Sequence, residues 1–178
     1  MKKTILAVVA SLVAALALPV HAAKTSGEHV DDGAIAASIK AGLLDNKDTS
    51  SMSINVESYK GTVQLSGFVG SQNEKDTAGK VAAGVSGVKK VINSLSIAPK
   101  TSMGTKLDDT VMTSKVKAAL MDDAEVKSMQ INVETKDGVT QLAGFVTDEA
   151  MRQRAGKVAA AVSGVKKLDN ALVVKPKE

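Results

Sequence analysis

Carboxylates crowded into one loop can hold a metal ion, and the 178-residue chain has two such stretches: Asp45 with Asp48, and Asp122, Asp123 with Glu125. Hard cations need oxygen ligands at set positions along a loop, and neither stretch has that pattern. Softer metals need His or Cys. Cys is absent, and His21 and His29 are too few and too far apart to form a His/Cys ligand set. Ser-x-x-Lys, in which a lysine can activate a serine hydroxyl, occurs at Ser86–Lys89, Ser114–Lys117 and Ser163–Lys166. Hydrolases built on that motif add partner motifs in a much larger domain. Two of the matches here are Ser-Gly pairs ending a predicted helix. Gly84-x-x-Gly87 does not open a helix with Lys-Ser/Thr, so it is no phosphate loop. Glu57 and Glu134 fall on predicted strands without an assigned second acid. No catalytic residue, cofactor or metal site is assigned; the side chains point to surface contact.

Contact chemistry is also sparse. Lys115 and Lys117 stand beside Met112 and Val116, the basic-next-to-apolar combination that a lipid or partner face requires. The combination occurs once, late in the chain. Trp is absent and aromatic residues make up 2% of the chain, so there is no platform for stacking bases. Basic residues form no stripe, which argues against nucleic acid as a partner. Nothing in the inventory calls for a small-molecule substrate.

These residues sit on elements that occur twice. Gly61-Thr62-Val63-Gln64-Leu65-Ser66-Gly67-Phe68-Val69 returns as Gly138-Val139-Thr140-Gln141-Leu142-Ala143-Gly144-Phe145-Val146. The offset between Gly61 and Gly138 is 77 residues, and it holds without a gap from Asp31 and Asp108 onward. Each copy opens with an acidic cap, Asp31-Asp32 or Asp108-Asp109, before a helical stripe. The stripe is Ile35, Ile39, Leu43 in one copy and Met112, Val116, Leu120 in the other. Ile54-Asn55-Val56-Glu57 alternates as a strand with Asn55 and Glu57 facing out. Lys60-Gly61 and Asp137-Gly138 mark hairpin turns. Ser71-x-x-Glu74 is a capping box for a second helix, matched by Thr147-Asp148. Ser86-Gly87 and Ser163-Gly164 stop that helix. A third strand carries Val91, Asn93, Leu95 and Ile97 on one side; its place in the sheet is open. The predicted fold is α+β: two tandem domains, each helix-strand-strand-helix-strand, with two helices on one side of a three-stranded sheet.

Gly61-x-Val63-x-Leu65-x-Gly67-x-Val69, followed by Val85-x-Gly87-Val88-x-x-Val91-x-Asn93-x-Leu95, resembles the signature of the BON domain, a family named for bacterial osmotically inducible and nodulation proteins. The second copy repeats it with Thr140 where the pattern has Val. The resemblance makes Gly61, Gly67, Gly87, Gly138, Gly144 and Gly164 fold-signature glycines. It implies a periplasmic stress protein that acts as a chaperone-like binder of unfolded or assembling envelope proteins. It also implies the alternative of a peripheral module that binds anionic phospholipid.

The first 22 residues read as an export signal: Lys2 and Lys3, an apolar run from Ile5 to Leu18, and cleavage between Ala22 and Ala23. Removing Lys2 and Lys3 from the 23 basic residues leaves 21 against 19 acidic, a mature net charge of +2. That charge gives little long-range attraction to anionic partners. Residues 23–30 read as a mobile leader, 31–97 and 107–175 as the two domains, and 98–106 as a linker. Each domain is small enough that one core is marginal, which predicts contact between the copies.

Overall fold

The computed structural model describes residues 31–98, 103–126 and 130–176. The signal, its Ala22–Ala23 cleavage site and the leader lie outside these residues.

Helix α1 (Asp32–Asp45) is capped by the Asp31 carboxylate, which accepts from Gly33 N at 3.0 Å. Ile35, Ile39 and Leu43 are buried along its inner stripe. β1 (Ile54–Tyr59) and β2 (Thr62–Val69) pair antiparallel, with Val56 opposite Leu65. The two-residue turn between them puts Lys60 at φ 51° and Gly61 at φ 77°, the geometry that matches strand twist in a tight hairpin. α2 (Gln72–Ala83) starts where Ser71 Oγ accepts from Glu74 N at 3.2 Å. The Glu74 carboxylate does not return to the cap residue; it accepts from Gly70 N and Ser50 N instead. α2 stops at Ala83, so Ser86-Gly87 lies past the helix end and not at it. β3 (Lys90–Asn93) runs parallel beside β2, which settles the place of the third strand, and β4 (Ser96–Ile97) continues it at the same register.

The second domain repeats this plan. α3 (Met103–Asp122) precedes β5 (Asn132–Lys136) and β6 (Val139–Ala143), which pair antiparallel. β7 (Phe145–Val146) continues β6 past Gly144. α4 (Glu149–Ala160) is capped by Asp148, which accepts from Met151 N at 2.8 Å. β8 (Lys167–Asn170) and β9 (Val173–Val174) lie parallel to β6 and β7. α3 begins five residues before Asp108, inside the segment read as linker. An acidic cap signal is a local preference, and a preceding stretch without proline can carry the helix further back.

Each domain has its own apolar core between helices and sheet. Val63, Leu65 and Val69 meet Ala78, Ala82 and Leu95 in the first, and Val116, Leu142 and Val146 meet Ala155, Ala159 and Leu172 in the second. Thr140, in the place of Val63, is fully buried and exchanges a 3.0 Å hydrogen bond with Thr135 across the strand pair. The polar sheet faces do not meet solvent. Gln64, Ser66 and Phe68 of one sheet are buried, as are Gln141, Ala143 and Phe145 of the other, outside both cores. The two sheets bury these faces against each other. Asn55 and Glu57, expected to face out, are half-buried on this inner side.

Candidate functional site

The joint between the sheets is built around two glutamines. Gln64 Oε1 accepts from Gly144 N at 2.8 Å, and Gln141 Oε1 accepts from Gly67 N at 2.7 Å. Gln64 Nε2 donates to Ala171 O, and Gln141 Nε2 donates to Ser94 O and Asp169 Oδ2. The exchange is reciprocal because the two residues occupy the same place in each repeat. Gly67 and Gly144 make it reachable. Both hold positive φ, 113° and 125°, and a Cβ at either would overlap the carbonyl oxygen of Ser53 or of Gln130. Gly67 stays within β2 opposite Ile54, whereas Gly144 separates β6 from β7, and each turns its N–H toward the other domain.

Around this centre, Ser96 Oγ donates to Asp169 Oδ2, and Asn55 Nδ2 donates to Glu134 Oε2 at 3.1 Å. Tyr59 and Phe145 bring their rings to 5.8 Å across the boundary, with Lys175 Nζ 5.1 Å above the Tyr59 ring. Burial holds the Glu57 carboxyl above the usual glutamate range, with Lys40 pulling it back. Burial does the same to Glu134, opposed by Lys136, the Asn55 hydrogen bond and Lys117.

Two grooves flank the joint, one beside each first strand. Among the described residues β1 pairs only with β2 and β5 only with β6, so each is a sheet edge. The groove beside β1 has a volume of about 650 Å³ and runs between α1, the edge from Asn55 to Tyr59, and Phe145 and Lys175 of the second domain. The groove beside β5, about 760 Å³, lies between α3 and Glu134–Lys136. Lys106, Lys117 and Lys136 line it together with Asp109 and Glu134, and four hydroxyl side chains complete the wall.

The residues singled out in the sequence part company here. Lys117 lines the second groove, and Lys115 is exposed away from it. Val116 is fully buried in the second core and belongs to no outer face. Its place in the core stripe excludes it from the surface. Met112 is half-buried against the same core, where its methyl fills the space a Cβ at Gly164 would need. Gly61, Gly87, Gly138 and Gly164 all hold positive φ in turns. Lys89 and Lys166 of the Ser-x-x-Lys matches pack over the hairpin glycines, and Ser114 Oγ donates back to Thr110 O. Asp123 of the acidic loop pairs with Arg154 at 2.8 Å. Among the described residues no three His, Cys, Asp or Glu side chains gather as a metal site.

Pattern reading missed Gln64 and Gln141. The available signal was an amide side chain repeated in mid-strand, flanked in both copies by core residues.

A helix-hairpin-helix-strand unit built twice and joined through its sheets defines a class of tandem domain, and residues 31–99 and 108–176 both match the family model of the BON domain. The chain belongs to the BON-domain family. It is similar to the Osmotically-inducible protein Y of Escherichia coli, 43% identical over 151 residues that span 84% of this chain and 75% of that protein. It is similar also to the Outer membrane lipoprotein DolP of Haemophilus influenzae, 33% identical over 82% of this chain and 75% of that one. A 21 kDa hemolysin of Actinobacillus pleuropneumoniae is 30% identical over the same shares.

Proposed function

We propose that this protein works in the periplasm during osmotic or envelope stress as a chaperone-like holder of unfolded or assembling envelope proteins, without catalysis. The names of its relatives, an osmotically inducible protein and an outer membrane lipoprotein, support that setting, as do the signal-like first 22 residues. The observation that carries the reading is the pair of open sheet edges, each beside a groove large enough for an extended segment. An unpaired edge offers backbone donors and acceptors to any extended chain whatever its sequence, which suits a holder of many clients. Dilution of a urea-unfolded outer-membrane β-barrel protein into buffer tests this. Stoichiometric excess of the protein is expected to suppress light scattering; unchanged scattering overturns the reading.

A second reading, peripheral association with anionic phospholipid, is favoured by the three lysines and four hydroxyls of the groove beside β5, where the lysines outnumber Asp109 and Glu134. Co-sedimentation with phosphatidylglycerol or cardiolipin vesicles tests it. Binding is expected to be salt-sensitive and weakened more by Lys117→Glu than by Lys115→Glu, since only Lys117 lines the groove.

A further inference from the structure

The two grooves are equivalent in position but not in chemistry. In the second, Glu134 is already engaged by Asn55 Nδ2, and Lys136 stands where the first domain has Tyr59. In the first, Glu57 receives no hydrogen bond and makes no ion pair among the described residues; Lys40 across the groove acts on it only at a distance. Two residues along the same strand face, Tyr59 leans on Phe145, and Lys175 and Lys60 flank its ring. The β1 side therefore offers one carboxylate needing a cation, then an aromatic shelf with cations already beside it.

A strand added to an edge presents alternate side chains to each face, and the residue opposite Glu57 shares its face. We infer that the groove beside β1 takes an extended polypeptide segment as a further strand of the first sheet, selected by a lysine or arginine opposite Glu57 and an apolar residue two places along beside Tyr59 and Phe145. The inference rests on the client-holding reading and names the site and the register within it. The cations around Tyr59 set that register: a basic residue at the Tyr59 level meets like charge, and at the Glu57 level it meets the unpartnered carboxylate. The groove beside β5 disfavours the same segment: Glu134 there already receives Asn55 Nδ2, and Lys106, Lys117 and Lys136 outnumber Asp109 and Glu134.

Fluorescence anisotropy of the full chain with labelled nonapeptides of alternating valine and threonine tests the inference. One peptide carries a central lysine and one a central glutamate, and two further lysine peptides are N-methylated, each along one edge only. The lysine peptide is expected to bind at least ten-fold tighter than the glutamate peptide. One N-methylated version is expected to lose binding and the other to keep it. Glu57→Gln removes the preference and Glu57→Lys reverses it, with circular dichroism confirming that both variants are folded. Amide exchange of residues 54–59 slows in the lysine-peptide complex. Equal affinity for both charges, indifference to N-methylation on either edge, or protection at β5 instead of β1 overturns the inference. If aggregation suppression survives while these fail, only the assigned groove falls; if wild-type protein suppresses no aggregation, the holding function itself falls.

Discussion

Gln64 and Gln141 are the residues on which the two halves most directly depend. Each is buried and each gives its carbonyl oxygen to a glycine N–H of the other domain. Replacing either by leucine leaves that N–H and the carbonyl on the amide side without partners. A buried polar group left unpaired costs about 1–3 kcal/mol. Gln64→Leu and Gln141→Leu are each expected to lower the unfolding free energy by about that amount. The double variant should lose less than the sum, because the first loss already loosens the joint. Urea titration of the three variants measures this, and strict additivity would mean the two clasps act separately. Both glutamines are visible in the repeated motif. Alternation alone puts them on a polar face, and the pattern of a single repeat holds no information on what covers that face. Thr140 was visible as a departure from the family pattern. Its reason was not, because the partner hydroxyl of Thr135 lies across a hairpin and not along the chain.

At the scale of elements, Asp32 in the first turn of α1 and Asp109 in the interior of α3 reach beyond their helices. Asp32 accepts from Lys60 N, Gly61 N and Ser58 Oγ, and Asp109 accepts from Asp137 N and Gly138 N. Each helix is thereby tied to the hairpin turn of its own sheet, α1 by its start and α3 by its interior. Burial would raise the Asp32 pKa, but the bonds from Ser58, Gly61 and Lys60 and the charge of Lys89 outweigh it and hold the carboxyl below its usual range. A depressed carboxyl stabilises the fold above its unfolded pKa, and the contribution is lost as pH falls through the folded value. Asp32→Ala is expected to cost about 1 kcal/mol, below the range for charged hydrogen bonds because solvent screens this partly exposed group. Hydrogen exchange at Lys60 and Gly61 should quicken in the variant, and in the wild type on strong acidification; unchanged exchange would show the tie to be idle. The sequence told that an acid begins α1, and helix, hairpin and strand order followed from stripes and turns. It could not tell that the second acid of the Asp31-Asp32 pair is spent on a turn 28 residues away, which only the folded domain brings close. The early start of α3 was illegible for the opposite reason: Asp108 carries a real cap preference that the helix overrides.

For the whole molecule, the duplication and the small size of each copy foretold contact between the domains, but not a contact made by the polar sheet faces. Burying polar faces gives the joint its own pH response. Glu57 and Glu134 lie on it, both held above the usual range by burial, with Lys40 near the first and Lys136, Asn55 and Lys117 near the second. A raised carboxyl contributes stability that is complete below its unfolded pKa and is lost as pH rises through the folded value. Asp32 and Glu74 respond in the opposite sense at lower pH. Burial opposes them too, but backbone and hydroxyl donors hold both below the usual range. The joint should therefore close most firmly in mildly acidic buffer and loosen toward neutrality, where two ionised carboxylates are confined between the sheets. Exchange at the Gly67 and Gly144 amides, corrected for intrinsic base catalysis, is expected to accelerate as pH rises above the ordinary glutamate range. Glu57→Gln with Glu134→Gln should flatten that limb and leave the acid limb, set by Asp32 and Glu74, where it was. If the limb persists in the double variant, the carboxylates do not control the closure, and the response must arise from groups outside the joint.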